Sequence, residues 1–350
     1  RRAMSSFRSQ AEMDRIGEEF VAKAIAQGCT PETARTIFGY IAGYAGYGFC
    51  EAHAASFATT AYKTTYLLEH YPAEFYAALL AHQPMGYYPP NTLLWEAKRR
   101  GVPARGPCVN KSGPLCTVED DGAIRIGLQQ IRALSGATLA ALLDARADKP
   151  FTSLTDFCRR VPPLTIEEAQ QLVLAGAFAA LHANRRALFL QLPAVLGDSR
   201  RAREPQGHLR LERESPLGDV EDFPPLERDL REYYALGLTV ERHLMQHWRP
   251  RLRGRGVSDC ARARRLPHGH PVTVAGLCIR PHRPPTKSGR TVVFLTLEDE
   301  TGLIDVTVFE DVYMRWGADL FVSPLLLVSG RIDRRDGALS ITAERVAALA

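Results

Sequence analysis

The chain has 350 residues, 45% hydrophobic and 24% charged, with a formal net charge of +5. That length holds two or three domains with at least one sizeable core, and the composition is that of an ordinary globular protein. No run of 18 apolar residues occurs, which excludes a membrane-crossing helix. The start "RRAMSSFRSQAEMDRIGEEF" lacks the apolar centre of a signal peptide. Seven cysteines, at 29, 50, 108, 116, 158, 260 and 278, include no Cys-x-x-Cys pair. This argues against a disulfide framework or a zinc ribbon and for reduced thiols in a cytoplasmic protein. The first residue is Arg1 rather than Met, so the expectation is a fragment, a truncated gene product or one piece of a split protein.

Residues 1–105 read as helical. "MDRIGEEFVAKAIAQG" sets Ile16, Phe20, Val21 and Ile25 near one face, and Gly28 is a stop. "TPETARTIFGYIAGYAGYG" opens on Thr30 as cap and Pro31 in the first turn. A third helix runs from about Glu51 to His70, closed by Tyr71-Pro72. "PAEFYAALLAHQ" is a fourth, and "NTLLWEAKRRG" a fifth with Asn91 as its cap. Residues 106–185 are mixed. "CTVEDDGAIRIGL" is a hairpin turning at Asp120-Asp121-Gly122. "IRALSGATLAALLDAR" reads as helix, tight turn at Ala133–Gly136, helix. Two short helices follow, capped by Ser153 or Thr155 and by Thr165. Residues 186–266 read as a basic, irregular linker rich in Pro, Gly and charge, with one helix at "ERDLREYYALGLTV".

From residue 267 to 350 the pattern changes. Five runs rich in Val, Ile, Leu and Thr are strands, and "EDVYMRWGADL" between the third and fourth is a helix. Three strands, a helix and two strands is the order of an OB-fold barrel, a fold that commonly binds single-stranded nucleic acid. The expected fold class is therefore multidomain, mainly α with a helix-hairpin-helix, followed by a small all-β OB barrel.

Charge is local. Arg249 to Arg290 holds 11 Lys/Arg and one acid, Asp259; residues 291–350 hold 5 Lys/Arg and 10 acids. Such a block suits a polyanion, nucleic acid above all, although Arg is frequent throughout the chain and a solvated linker reads the same way. In a helix-hairpin-helix, backbone N–H groups of the turn meet a DNA phosphate without reading base sequence. Here the turn is Ala133-Leu134-Ser135-Gly136, and the first of the two usual glycines is absent. No phosphate-binding Gly-Lys loop, His-Glu-x-x-His or Gly-x-Ser-x-Gly occurs, and Glu51 beside His53 is an isolated pair.

"AGYAGYGFCEAHAASFATTAYKTTYLLEHYPAEFYAALLAHQPMGYYPPNTLLWEAKRRGV" resembles the fingers of bacterial C-family DNA polymerases, the alpha subunits of polymerase III. "HQPMGYYPP" is most similar to the error-prone, damage-inducible branch. "RIGLQQIRALSGATLAALLDAR" resembles the helix-hairpin-helix of that family, "LVLAGAFAALHANRRAL" the helices after it, "EYYALGLTVERHLM" its approach to the barrel, and "TKSGRTVVFLTLEDETGLIDVTVF" its OB domain. The resemblance implies the C-terminal portion of a DNA-directed DNA polymerase used in replication or lesion bypass. It places the fingers entry near the templating base and incoming nucleotide. There Gly46, Gly48, His53, Tyr62 and Lys63 are candidates for DNA or nucleotide contact. Arg132, Ser135, Gly136 and Thr138 are candidates for phosphate contact at the hairpin. Arg249, Arg251, Arg253, Arg255, Arg264, Arg265, Lys287 and Arg290 are candidates in the basic block and barrel.

Three departures qualify the resemblance. Glu51 stands where replicative relatives carry Lys, Ala133 replaces a hairpin glycine, and Arg210 stands where a Gln-x-x-Leu-Phe clamp peptide needs an aromatic in "QGHLR". Sliding-clamp binding through that segment is therefore not expected. The family's palm, with the aspartates that hold Mg2+, precedes the fingers. The chain by itself is expected to hold no cofactor and to be inactive in nucleotide transfer. Expected partners are primer–template duplex, single-stranded template, an upstream polymerase half and lesion-synthesis proteins. The rival expectation is a non-catalytic DNA-binding or partner-recruiting module in repair.

Overall fold

The computed structural model describes residues 10–46, 51–202, 220–286, 289–335 and 337–349. The chain divides into two compact units, Arg1–His70 and Tyr71–Ala350. In the first, helix α1 (Gln10–Ala26) packs on α2 (Pro31–Gly46), with the rings of Phe20 and Phe38 5.7 Å apart. Gly28 turns the chain between them at φ +89°. Thr30 Oγ1 accepts the Thr33 N–H at 3.3 Å and caps α2, as its sequence predicts. Helix α3 (Glu51–His70) completes the unit.

The second unit begins with α4 (Pro72–Ala81) and α5 (Pro90–Arg99). A small sheet of β1 (Ala104–Arg105), β2 (Thr117–Val118) and β3 (Ile124–Arg125) follows; β2 and β3 are the expected hairpin, and β1 joins β3 in parallel. Helices α6 (Gly136–Asp148), α7 (Leu154–Arg160) and α8 (Ile166–Leu174) carry Ser135, Ser153 and Thr165 as caps. Helix α9 (Arg185–Arg201), α10 (Pro225–Leu236) and the short α11 (Arg249–Arg253) and α12 (Cys260–Ala263) lead to the barrel. The barrel comprises β4 (Pro271–His282), β5 (Val292–Asp299), β6 (Gly302–Phe309), α13 (Glu310–Val322), β7 (Leu325–Arg335) and β8 (Ala338–Ala348). It closes in the order β4-β5-β6-β8-β7, antiparallel except for β6 with β8. Strand alternation sends Val293, Leu295, Leu297, Ile304, Val306 and Val308 into its core and leaves Phe294 and Thr307 outside.

Three local expectations need correction. Asn91 does not cap α5; Pro89 stands at that position. Asn91 is buried, where its Nδ2 donates to Glu298 Oε1 at 3.3 Å and its Oδ1 accepts from Thr239 N at 3.1 Å. The first limb of the helical hairpin is a single 3-10 turn, Leu128–Gln130, because only two residues separate it from the strand ending at Arg125. Among the described residues of 186–266, more is helical than the single helix expected: α9, α10, α11 and α12, while residues 203–219 lie outside the described residues. α9 runs through Pro193, held inward by Leu188, Leu192 and Leu196, while its Arg side chains keep the local composition linker-like.

Two carboxylates at the end of β5 tie the barrel to the helices. Glu298 is fully buried and accepts from Asn91 and from Thr92 Oγ1 at 2.5 Å, with His243 Nε2 3.6 Å away. Asp299 Oδ2 accepts from Arg249 Nη2 and from Cys260 N, each at 2.8 Å. Arg249 also pairs with Glu300 at 2.5 Å. Removing one partner of such a buried set strands the other charge. Arg249→Ala is therefore expected to cost about 3–5 kcal/mol, whereas Arg251→Ala, at an exposed position, changes stability by no more than about 0.5 kcal/mol. Urea unfolding followed by tryptophan fluorescence measures both.

Candidate nucleic-acid interface

Each candidate region is built differently. In α3, His53 is exposed and meets the Phe57 ring edge-on at 4.5 Å. Tyr62 is 74% exposed and Lys63 is exposed. The helix repeats every 3.6 residues, so nine positions between His53 and Tyr62 put them on opposite sides. One face does not carry both. The hydroxyls of this helix turn inward on its own backbone: Thr59, Thr60, Thr64 and Thr65 donate to carbonyls one turn earlier, at 2.8–3.0 Å. The exposed stripe is aromatic instead, with Tyr62, Tyr66 and His70 four residues apart and the last two rings at 4.3 Å. Gly46 ends α2, while Gly48 and the Glu51 side chain lie outside the described residues.

The hairpin turn is built around one carboxylate. Glu168, in the first turn of α8, closes a capping box with Thr165. The same carboxylate reaches the start of α6, where it accepts the Ser135 N–H at 2.9 Å and the Thr138 hydroxyl at 3.0 Å. Burial opposes its ionisation, but the donors on Ser135, Thr165 and Thr138 outweigh that and lower its pKa to about 2. Ser135 Oγ accepts from Thr138 N at 3.2 Å. Thr138 is fully buried. Thr138 thus braces the turn and does not reach a phosphate, and Ser135 is committed as its cap.

What remains open is the backbone of Gly136 and Ala137, exposed at the first turn of a 13-residue helix whose leading N–H groups lack intrahelical acceptors. Beside them Arg132 is exposed, its guanidinium 4.6 Å from the centre of the Tyr234 ring. Ala133 takes the left-handed conformation, φ +60°, that a glycine adopts more cheaply. The missing glycine leaves the turn formed, at some strain.

In the basic block the predicted residues separate. Arg249 is 6% exposed and bound to Asp299 and Glu300, so it holds the fold and does not serve as a phosphate contact. Arg251, Arg253 and Arg255 are exposed around α11. Arg264 and Arg265 are exposed beyond α12, and Arg264 Nη1 donates to Leu303 O at 3.1 Å. Arg290 is exposed at the start of β5, and Lys287 lies outside the described residues, as does the segment Gln206–Arg210.

The outer face of the barrel adds residues that charge patterning alone does not single out. Phe294 is 40% exposed on β5, its ring 5.7 Å from His282 of β4. Arg283 lies 5.9 Å from the Tyr313 ring. The sequence does carry a signal for this face: in "TVVFLTLED" Phe294 falls on the outward register between two core residues. An acid, Asp305, shares the face and accepts from Thr296 Oγ1 at 2.7 Å. Among the described residues no group of three or more His, Cys, Asp or Glu comes together to hold a metal ion.

Comparison with known proteins matches residues 101–188 to the helix-hairpin-helix motif and residues 272–349 to the OB-fold nucleic acid binding domain. The error-prone DNA polymerase of Symbiobacterium thermophilum is 45% identical over 394 residues, covering 99% of this chain and 36% of that protein. That of Anaeromyxobacter dehalogenans is 36% identical, over 100% of this chain and 31% of the relative. Error-prone DNA polymerase 2 of Agrobacterium fabrum is 32% identical, over 99% and 32%. The chain spans about a third of the length of these curated relatives.

The Glu168 arrangement makes a pH prediction. Its pKa lies below the ordinary value of 4.5 in the folded chain. It therefore contributes stability above pH 4.5 that is lost as pH falls toward 2. Glu168→Gln is expected to lower stability by about 2 kcal/mol at neutral pH and to flatten the acid limb of the stability profile, read by thermal unfolding between about pH 7 and pH 3.

Proposed function

Because the chain belongs to the bacterial C-family DNA polymerases, as a C-terminal portion most similar to their error-prone branch, we propose that it is the part that holds primer–template DNA during synthesis. The observation that carries this is the presence, within one compact unit, of two complementary surfaces. One is a hairpin turn with open backbone N–H groups beside Arg132. The other is a closed barrel with an aromatic outer face and arginines at its border.

The hairpin suits duplex. Backbone N–H groups and a guanidinium neutralise phosphate and leave the bases unread, as a polymerase working on any sequence requires. The barrel suits the unpaired template. Rings such as Phe294 stack on any base, and cations along the edge follow the backbone. In the fingers, α3 offers His53, Lys63 and the Tyr62–Tyr66–His70 stripe for the template and incoming nucleotide. Each is exposed, and the two sides of the helix serve different contacts. Metal-assisted nucleotide addition belongs, on this reading, to Mg2+ held by a palm in the complete enzyme. On the same reading the residues of this chain hold the DNA and the incoming nucleotide, and the chain alone is expected to bind without synthesising.

A second reading, a partner-recruiting module, draws on α13, whose Met314 and Val322 are 76% and 82% exposed. DNA binding that survives while addition of the upstream polymerase half gives no synthesis favours that alternative.

The test is titration of labelled duplex and labelled single strand at two salt concentrations. Both are expected to bind, with affinity falling steeply as salt rises. Reversing Arg251, Arg253 and Arg255 to Glu should weaken binding to every sequence alike and reduce the salt slope by about one for each phosphate no longer neutralised. Salt-insensitive binding, or none by a folded chain, contradicts the proposal.

A further inference from the structure

Beyond Phe294 the barrel face continues into a feature that neither the barrel nor the hairpin explains. The pairing of β4 with β5 shifts register between Ile279 and His282, and Arg280 between them has φ +41°. Non-glycine residues rarely adopt that region, and a bulge of this kind redirects a side chain. Here it carries the Arg280 guanidinium over the ring of Tyr87, 5.5 Å from its centre. Tyr87 comes from the loop between α4 and α5 and meets Tyr88 edge to face at 5.3 Å. The two rings remain 39% and 44% exposed.

Tyr88 also lines a cavity of about 920 Å3, together with Phe75, Leu303, Arg100, Arg264 and Arg265. Glu96 lies in the same wall, where it is paired with Arg99 and Arg100. Arg265 therefore supplies an exposed charge in the same lining as the rings of Tyr88 and Phe75. The cavity's size lies within the range of small-ligand sites. Aromatic rings with guanidinium groups at the edge form the chemistry that receives a base together with its phosphate.

We propose that the Tyr87–Tyr88 loop, the bulged Arg280 and this cavity form a second single-strand subsite, in which an unstacked DNA base lies against Tyr88 and Phe75 and its phosphate meets Arg265. The proposal rests on the reading that the chain binds single-stranded DNA. It adds a path: the strand crosses Phe294 and His282, passes Arg280 two residues along the same strand of the barrel, and ends at the tyrosine loop of the helical region.

The experiment compares labelled oligothymidylates of about 6 and about 12 nucleotides, chosen to occupy the barrel face alone or both subsites. The wild-type chain should bind the longer strand more tightly. Tyr88→Ala and Arg265→Ala should each weaken the longer strand about ten-fold, the effect of one stacked base or strong contact, and leave the shorter one unchanged. Phe294→Ala should weaken both. Tyr88→Phe should restore binding, which separates ring stacking from a folding defect. A photoreactive 5-iodouracil near the far end of the longer strand should cross-link to the peptide holding Phe75 or Tyr88. Full-strength binding of the longer strand by Tyr88→Ala and Arg265→Ala, with Phe294→Ala still impaired and no such cross-link, overturns the subsite and spares the barrel reading. No binding of either length by the wild-type chain overturns both.

Discussion

The second unit depends on two adjacent carboxylates, Glu298 and Asp299, buried at the end of a barrel strand. Ionised groups removed from water are costly unless every lone pair finds a donor. Here Asn91, Thr92, Arg249, the Cys260 N–H and Thr301 supply those donors. They come from α5, α11, α12 and the turn into β6, so satisfying two side chains fixes three helices against the barrel. The exposed arginines of α11 and the residues beyond α12 thereby gain defined positions. A basic block that composition alone reads as a solvated linker becomes a border to the barrel.

The same logic recurs at the hairpin on a smaller scale. Glu168 joins the starts of α6 and α8 by accepting from both caps, and so presents the Gly136 and Ala137 backbone outward. A carboxylate placed there favours the positive end of α6 and leaves only part of that end for an external anion. On the proposed duplex reading, Arg132 beside the turn would carry more of the attraction toward phosphate than the turn itself.

Much of this is legible in the sequence. Period-two alternation and turn glycines specify the barrel, because its strands bury one face and turn by local rules. Ser153 and Thr165 announce two helix starts, since a cap acts within three residues. What stays hidden is long-range. Asn91 and Glu298 are 207 residues apart, so Asn91 reads as a cap, the common local use of its type. Arg249 looks like its neighbours Arg251 and Arg253, and only the fold separates the buried one from the exposed ones. α9 is obscured by Pro193 and by surface arginines, while the contacts that hold it lie on other helices. Phe294 is a different case. Its outward register is legible in the strand pattern, but one ring flanked by valines and leucines stands out only once the barrel closes and brings His282 beside it.

The central claim is that one compact unit presents a duplex surface and a single-strand surface together. The most direct measurement is the affinity of the chain for a duplex bearing a 5′ single-stranded extension, compared at the same salt with blunt duplex and with single strand of matched length. Two linked surfaces on one ligand bind with the advantage of effective concentration. The junction should therefore bind more than about ten-fold tighter than the better of its two parts. A junction bound no more tightly than that part would mean that the two surfaces do not act on one DNA molecule.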